Sequence, residues 1–109
     1  MVEDIYMSIE QVDPEKIDAV LSYLQQNFSN HSFTTSPDPD DRTQQEYRIH
    51  WKGDGSLAHR FAVRMEFFNG MDVQNILTKL TAYDFANALH KVGRAKVVVT
   101  AEGIQRQGM

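Results

Sequence analysis

The stretch Glu46 to Phe67, EYRIHWKGDGSLAHRFAVRMEF, decides the fold. From Glu46 to Lys52, Tyr47, Ile49 and Trp51 alternate with Glu46, Arg48, His50 and Lys52. From His59 to Phe67, Phe61, Val63, Met65 and Phe67 alternate with Arg60, Ala62, Arg64 and Glu66. Strict alternation is the mark of a half-buried strand, since successive side chains leave opposite faces. Gly53-Asp54-Gly55-Ser56 between the two runs is a turn signal. The segment therefore reads as an antiparallel hairpin with an aromatic inner face.

The alternation also constrains register. Inner residues are odd-numbered on both strands, so facing partners must have numbers with an even sum. A two-residue Asp54-Gly55 turn pairs Gly53 with Ser56, an odd sum, and flips one strand. A three- or five-residue loop or a bulge is expected instead, with a glycine at positive φ.

Outward from the hairpin, Asp13-Pro14-Glu15 opens a helix expected over Pro14–Asn27: a capping aspartate, a proline at the first turn and an acid at the positive helix end. Ile17, Val20, Leu21, Leu24 and Phe28 recur on its apolar side. His31 to Thr35 reads as a short strand, and Ser36 to Asp41, with two prolines and three aspartates, as a solvated turn. Beyond the hairpin, Asp72 to Val92 carries two apolar phases, Val73/Ile76/Leu77/Leu80 and then Phe85/Leu89/Val92. That is one kinked helix or two short ones, with Thr81 and Asp84 as a capping pair and Gly93 as the stop. Lys96 to Ala101 holds three consecutive valines and reads as an interior strand. Residues 1–12 read as an arm or edge strand, and residues 103–109 as a flexible tail.

These elements give an α+β fold in the order α-β-β-β-α-β: a mainly antiparallel sheet of three to five strands with two helical regions on one face. The chain has 109 residues, 41% hydrophobic and 24% charged, which suits one globular domain over residues 1–109 and not a disordered chain. The element order resembles that of double-stranded RNA-binding domains, whose second helix starts with basic residues that grip phosphate. Asp72, Gln74 and Asn75 hold that position here, so the likeness carries no binding residues over.

Composition narrows the chemistry. There is no cysteine, which excludes disulfides, thiolate catalysis and cysteine-ligated metal, and fits a reducing compartment. Met1 to Tyr6 lacks the apolar run of a signal peptide, and no stretch suits a membrane span, so the cytoplasm is the expected location. No two histidines share the spacing of a helical zinc site. The aspartates of Pro37–Asp41 fail the calcium-loop pattern, since Thr43 and Ile49 stand where glycine and glutamate are required. No phosphate loop or glycine-flanked nucleophile appears. No cofactor or metal is expected.

The remaining candidate is the outer face of the hairpin. Arg48, His50, Lys52, Arg60 and Arg64 form a modestly basic stripe on a chain of net charge −4. Its plain reading is a solvated face with cross-strand ion pairs, Glu46 opposite Arg64 in one allowed register. Its functional reading is an interaction surface. The sequence thus points to a non-enzymatic protein-interaction or regulatory module, self-association as a homodimer included. The alternatives are a small enzyme or ligand binder with a site between sheet and helices, and a nucleic-acid binder using the basic face.

Overall fold

The computed structural model describes residues 12–106. The reading of residues 1–12 as an arm or edge strand falls almost wholly outside them. Helix α1 (Pro14–Asn27) is capped by Asp13, whose carboxylate accepts the Glu15 N–H at 3.1 Å. Strands β1 (His31–Pro37), β2 (Gln44–Trp51) and β3 (Leu57–Arg64) follow. Three helices come next: α2 (Met65–Asn69), α3 (Val73–Ala82) and α4 (Phe85–Val92). Strands β4 (Val97–Thr100) and β5 (Gly103–Arg106) end the order.

The five strands form one sheet in the order β1-β2-β3-β4-β5. Every pairing is antiparallel except β3 with β4, which the three helices cross over to join in parallel. The fold is α+β, as the alternation and helix signals imply.

In the β2–β3 register Tyr47 faces Phe61 and Ile49 faces His59, both even sums. Past Ile49 the register shifts, His50 faces Leu57, and Ala58 is the extra residue of a bulge. Trp51 donates its N–H to the Ser56 carbonyl at 2.9 Å, and Gly55 takes φ +75°. The bulge and the positive-φ glycine are the two devices that the parity argument requires.

The core lies on the odd-numbered face. Tyr47, Ile49, Phe61, Val63, Val97 and Val99 meet Val20 and Leu24 of α1, Phe67 and Phe68 of α2, Ile76 and Leu80 of α3, and Phe85 and Leu89 of α4. The Tyr47 and Phe61 rings stack at 5.0 Å and 9° between planes, and Phe85 meets Phe61 edge-on at 4.7 Å. The buried Tyr47 hydroxyl donates to the Ile17 carbonyl at 2.7 Å, and burial pushes its pKa well above the ordinary tyrosine value. The helices therefore cover one face, and Ala62 and Val98, buried on the other, stand outside this core.

Four expectations need correction. Met65 and Phe67 do not continue β3; they start α2. Phe67 and Phe68 are adjacent and both fully buried, which one face of a strand cannot achieve and a helical turn can. Trp51 is not core but 48% exposed; it lies beyond the register shift at the end of β2. Residues 103–106 are not a frayed tail: β5 pairs with β4 through the turn Ala101–Glu102, with Thr100 opposite Gly103 and Val99 opposite Ile104. Asp84 does not cap α4 by its side chain; it takes a left-handed backbone (φ +54°) that splits the helical region in two.

Gly103 has φ +139°, a conformation nearly closed to other residues, whereas Gly53 has an ordinary φ and open space around it. Gly103→Ala should therefore cost about 1–3 kcal/mol, and Gly53→Ala should stay within about 0.5 kcal/mol. Urea unfolding of the two variants checks this; equal costs would mean that the β4–β5 turn contributes nothing.

Candidate interaction surface

The five basic residues of the outer face do not form one patch. Arg48 and Arg60 face each other across β2 and β3. His50 sits at the bulge, and its Nδ1 lies 3.3 Å from the Gly55 carbonyl. Lys52 is exposed in the turn beyond it. Arg64 lies at the far end of β3, about 13 Å from Arg60 at strand rise. There it pairs with Glu66 at 3.2 Å and Asp41 at 3.8 Å. Glu46 faces Ala62, not Arg64, and is bonded instead to Arg48 at 3.2 Å.

Nor is this face simply solvated. The connection Asp38–Thr43 folds onto it and buries a charge cluster. Lys96, just before β4, donates to Asp38 at 2.6 Å and lies 3.6 Å from Glu46 and 3.9 Å from Asp40. Lys96, Asp38, Glu46 and Gln44 are all buried. Gln44 Nε2 donates to Asp38 at 2.8 Å, and the Asp40 N–H donates to the same carboxylate at 2.9 Å. Burial raises the Asp38 pKa, but the donors Lys96, Gln44 and Asp40 outweigh it and hold the carboxyl below its ordinary value. The aspartate-rich turn is thus an anchor. Its alternating Asp and Pro residues signal a turn, but nothing local shows that Lys96, 58 positions away, receives Asp38.

The sequence also left the histidines scattered. In the structure His31 and His59 are buried, and with His90 they surround Phe28 at ring distances of 5.6, 5.7 and 5.0 Å. His59 Nδ1–H donates to the Gly93 carbonyl at 2.7 Å, and its ring meets His90 edge-on at 5.4 Å. His31 Nδ1–H donates to the Ser29 carbonyl at 2.6 Å, leaving Nε2 buried with no partner among the described residues. The exposed Trp51 ring lies against His31 at 4.2 Å, tilted by 37°. Among the described residues no group of three or more histidine, aspartate and glutamate side chains is placed to hold a metal ion. Parity put His59 inside; the gathering of the other two around Phe28 is tertiary.

The third feature is the β1 edge of the sheet, which no other strand among the described residues pairs. Lys52 donates its backbone N–H to the Asn30 carbonyl at 3.0 Å, which makes this a hydrogen-bonded pair next to His31 and Trp51. Bonded and unbonded pairs alternate in an antiparallel ladder. Ser32, Thr34 and Ser36 therefore bond to β2, while His31, Phe33 and Thr35 turn their backbone N–H and C=O away from the sheet. Between His31 and Pro37 there is no Lys, Arg, Asp or Glu. Phe33 is half-buried. Ile17 and Leu21, also half-buried, lie on the flank of α1 away from the Glu15, Ala19 and Ser22 side that meets Val73 of α3. Ile17, Leu21 and Phe33 pack half-buried against the core, Ile17 at Tyr47, the partner of Thr35, and Trp51 lies opposite His31, so apolar side chains accompany the outward backbone donors and acceptors of β1.

No protein-family model, no curated protein and no solved structure matches the chain. Among the described residues no helix is long and apolar enough to cross a membrane.

Two measurements check this description. Lys96→Met strands buried carboxylates and should destabilise by about 3–5 kcal/mol at neutral pH. The loss should shrink as pH falls below the ordinary aspartate range, through the depressed value of Asp38, where that carboxylate takes up a proton. A pH-independent loss measured by urea unfolding would deny the ion pair. Burial, aided by His90 and His31, lowers the His59 pKa. The unfolded chain then binds the proton at higher pH than the folded one, so stability should fall as pH drops below about 6.5. His59→Asn, which can keep a donor toward Gly93, should flatten that slope in melts across this range.

Proposed function

We propose that this chain is a protein-interaction module that docks through β1 and the apolar side chains that accompany it. The observation that supports the reading is the edge left open among the described residues: seven residues without Lys, Arg, Asp or Glu, with outward N–H and C=O at His31, Phe33 and Thr35. Sheet edges in soluble proteins are usually guarded by charges, bulges or a covering segment, because an open edge templates pairing with another strand. Strand addition is a general mode of recognition, with main-chain bonds for affinity and alternate side chains for specificity. Trp51 at 48% exposure supplies the kind of aromatic anchor that dominates interface energetics. A cysteine-free chain suits a reducing compartment, so the proposed setting is the cytoplasm.

A second reading rests on Arg48 and Arg60. Like charges placed directly across strands repel, and Glu46 bonds only Arg48 of the two. A polyanion such as nucleic acid would relieve that repulsion at the outer face.

Affinity capture from extract of the source cells separates the two. Thr35→Pro removes an outward N–H while sparing the backbone bonds to β2; it also removes the hydroxyl that donates to the Glu46 carbonyl and accepts from Gln45, so Thr35→Val is its control, and only the proline variant should abolish capture of protein partners. Arg48→Glu with Arg60→Glu should leave capture unchanged. The reverse pattern, with heparin retention lost in the arginine variant, would overturn docking at the edge in favour of the outer face.

A further inference from the structure

We propose that the occupant of the β1 edge is a second copy of this chain, paired antiparallel about a two-fold axis at Phe33. The inference rests on the edge-docking reading above and names its partner. Three independent features make the edge self-complementary.

The first is the hydrogen-bond phase. A two-fold axis perpendicular to the sheet at Phe33 pairs Phe33 with its counterpart, and His31 with Thr35 of the other copy. These are the residues whose N–H and C=O point outward, so each pair exchanges two bonds, and all three pairs are bonded. Shifting the centre to Ser32 or Thr34 keeps the phase but leaves one outward residue without a bonded counterpart within the strand. Pro37 limits the second shift further, since it has no N–H to donate.

The second is charge. On the outer side the pairing sets Ser32 against Thr34 in both directions, small neutral residues with no like-charge opposition. An acidic or basic partner strand would find nothing on β1 to pair with. A copy of the same uncharged strand meets no penalty.

The third is the set of apolar side chains. The axis leaves the helices of both copies on the same side of one ten-stranded sheet. It sets Phe33 beside Phe33 and brings the Ile17–Leu21 flanks of the two α1 helices toward each other. Half-buried apolar side chains at a strand edge are then covered by their own equivalents, the requirement of a two-fold interface. The paired area is small beside a standard interface, so the affinity belongs in the micromolar to millimolar range.

Sedimentation velocity or light scattering on the full chain, up to about 1 mM, tests this. Wild type should show a concentration-dependent dimer. Ser32→Lys with Thr34→Lys sets lysine against lysine twice and should weaken the dimer at least about tenfold. Ser32→Lys with Thr34→Glu sets lysine against glutamate twice in this register alone, and should restore it. Neither side chain is buried, so both variants should keep the wild-type fold by circular dichroism.

A wild-type monomer throughout the range would overturn the second copy as occupant. So would a dimer indifferent to both charge variants, which would use another surface. A monomer that dimerises only once residues 1–11 are deleted would assign the edge to the chain's own N-terminal segment and equally overturn the proposal. Each of these results leaves the edge-docking reading to be decided by the Thr35→Pro capture, so the two can fail separately.

Discussion

The stacked pair of Tyr47 and Phe61 is the contact on which the arrangement depends. It joins the two central strands, presents one ring to Phe85 of α4 and, through the Tyr47 hydroxyl, holds the Ile17 carbonyl of α1. A one-residue slip between β2 and β3 would carry Phe61 and Val63 to the outer face and bring Arg60 into the core. The bulge at Ala58 is what allows the connecting turn and the pairing to coexist. It absorbs the one residue by which a tight turn would put the strands out of phase. Beyond the bulge Trp51 is exposed to solvent.

The opposite face is organised by charge. Asp38, Glu46 and Lys96 come from the β1–β2 connection, β2 and the residue before β4, so their cluster ties the start of β4 to strands laid down 50 residues earlier. A buried pair of this kind contributes less to net stability than its short distance suggests, because desolvation offsets the attraction. Its main effect is positional. Wrong placements of the connection would leave charges buried without partners, which only the native placement avoids.

Local patterns were legible where one physical rule acted alone. Asp13-Pro14-Glu15 marks the α1 start, and the valines of β4 read as an interior strand, which β3 and β5 enclose. The patterns misled where two rules competed. Met65 and Phe67 fit the alternation of β3, yet Phe68 also had to be buried, and the chain turned helical. Gly103 to Arg106 has one apolar residue, Ile104, and no strand signal; β4 recruits it because an unpaired β4 would expose its own backbone. The candidate surface was half legible. Arg48 and Arg60 were placed on one face correctly. The burial of Glu46, the separation of Arg64 and the ring of histidines about Phe28 all depend on segments far apart in the chain.

The two edges of the sheet are unlike, and the difference bears on what the molecule does. β5 is four residues long, with Gly103 at one end and Arg106 at the other, and so offers little to a foreign strand. β1 is seven residues long, has no Lys, Arg, Asp or Glu, and carries the half-buried Phe33. Folding does not require this. Ser32, Thr34 and Ser36 point to solvent on the outer side, where lysine or glutamate would keep the same ladder bonds to β2 and guard the edge as well. An edge of this kind, unpaired among the described residues, gains nothing in stability from its neutrality and invites pairing. The proposed docking gives that neutrality a reason, and under the proposed pairing of two copies it is neutrality at both Ser32 and Thr34 that matters most.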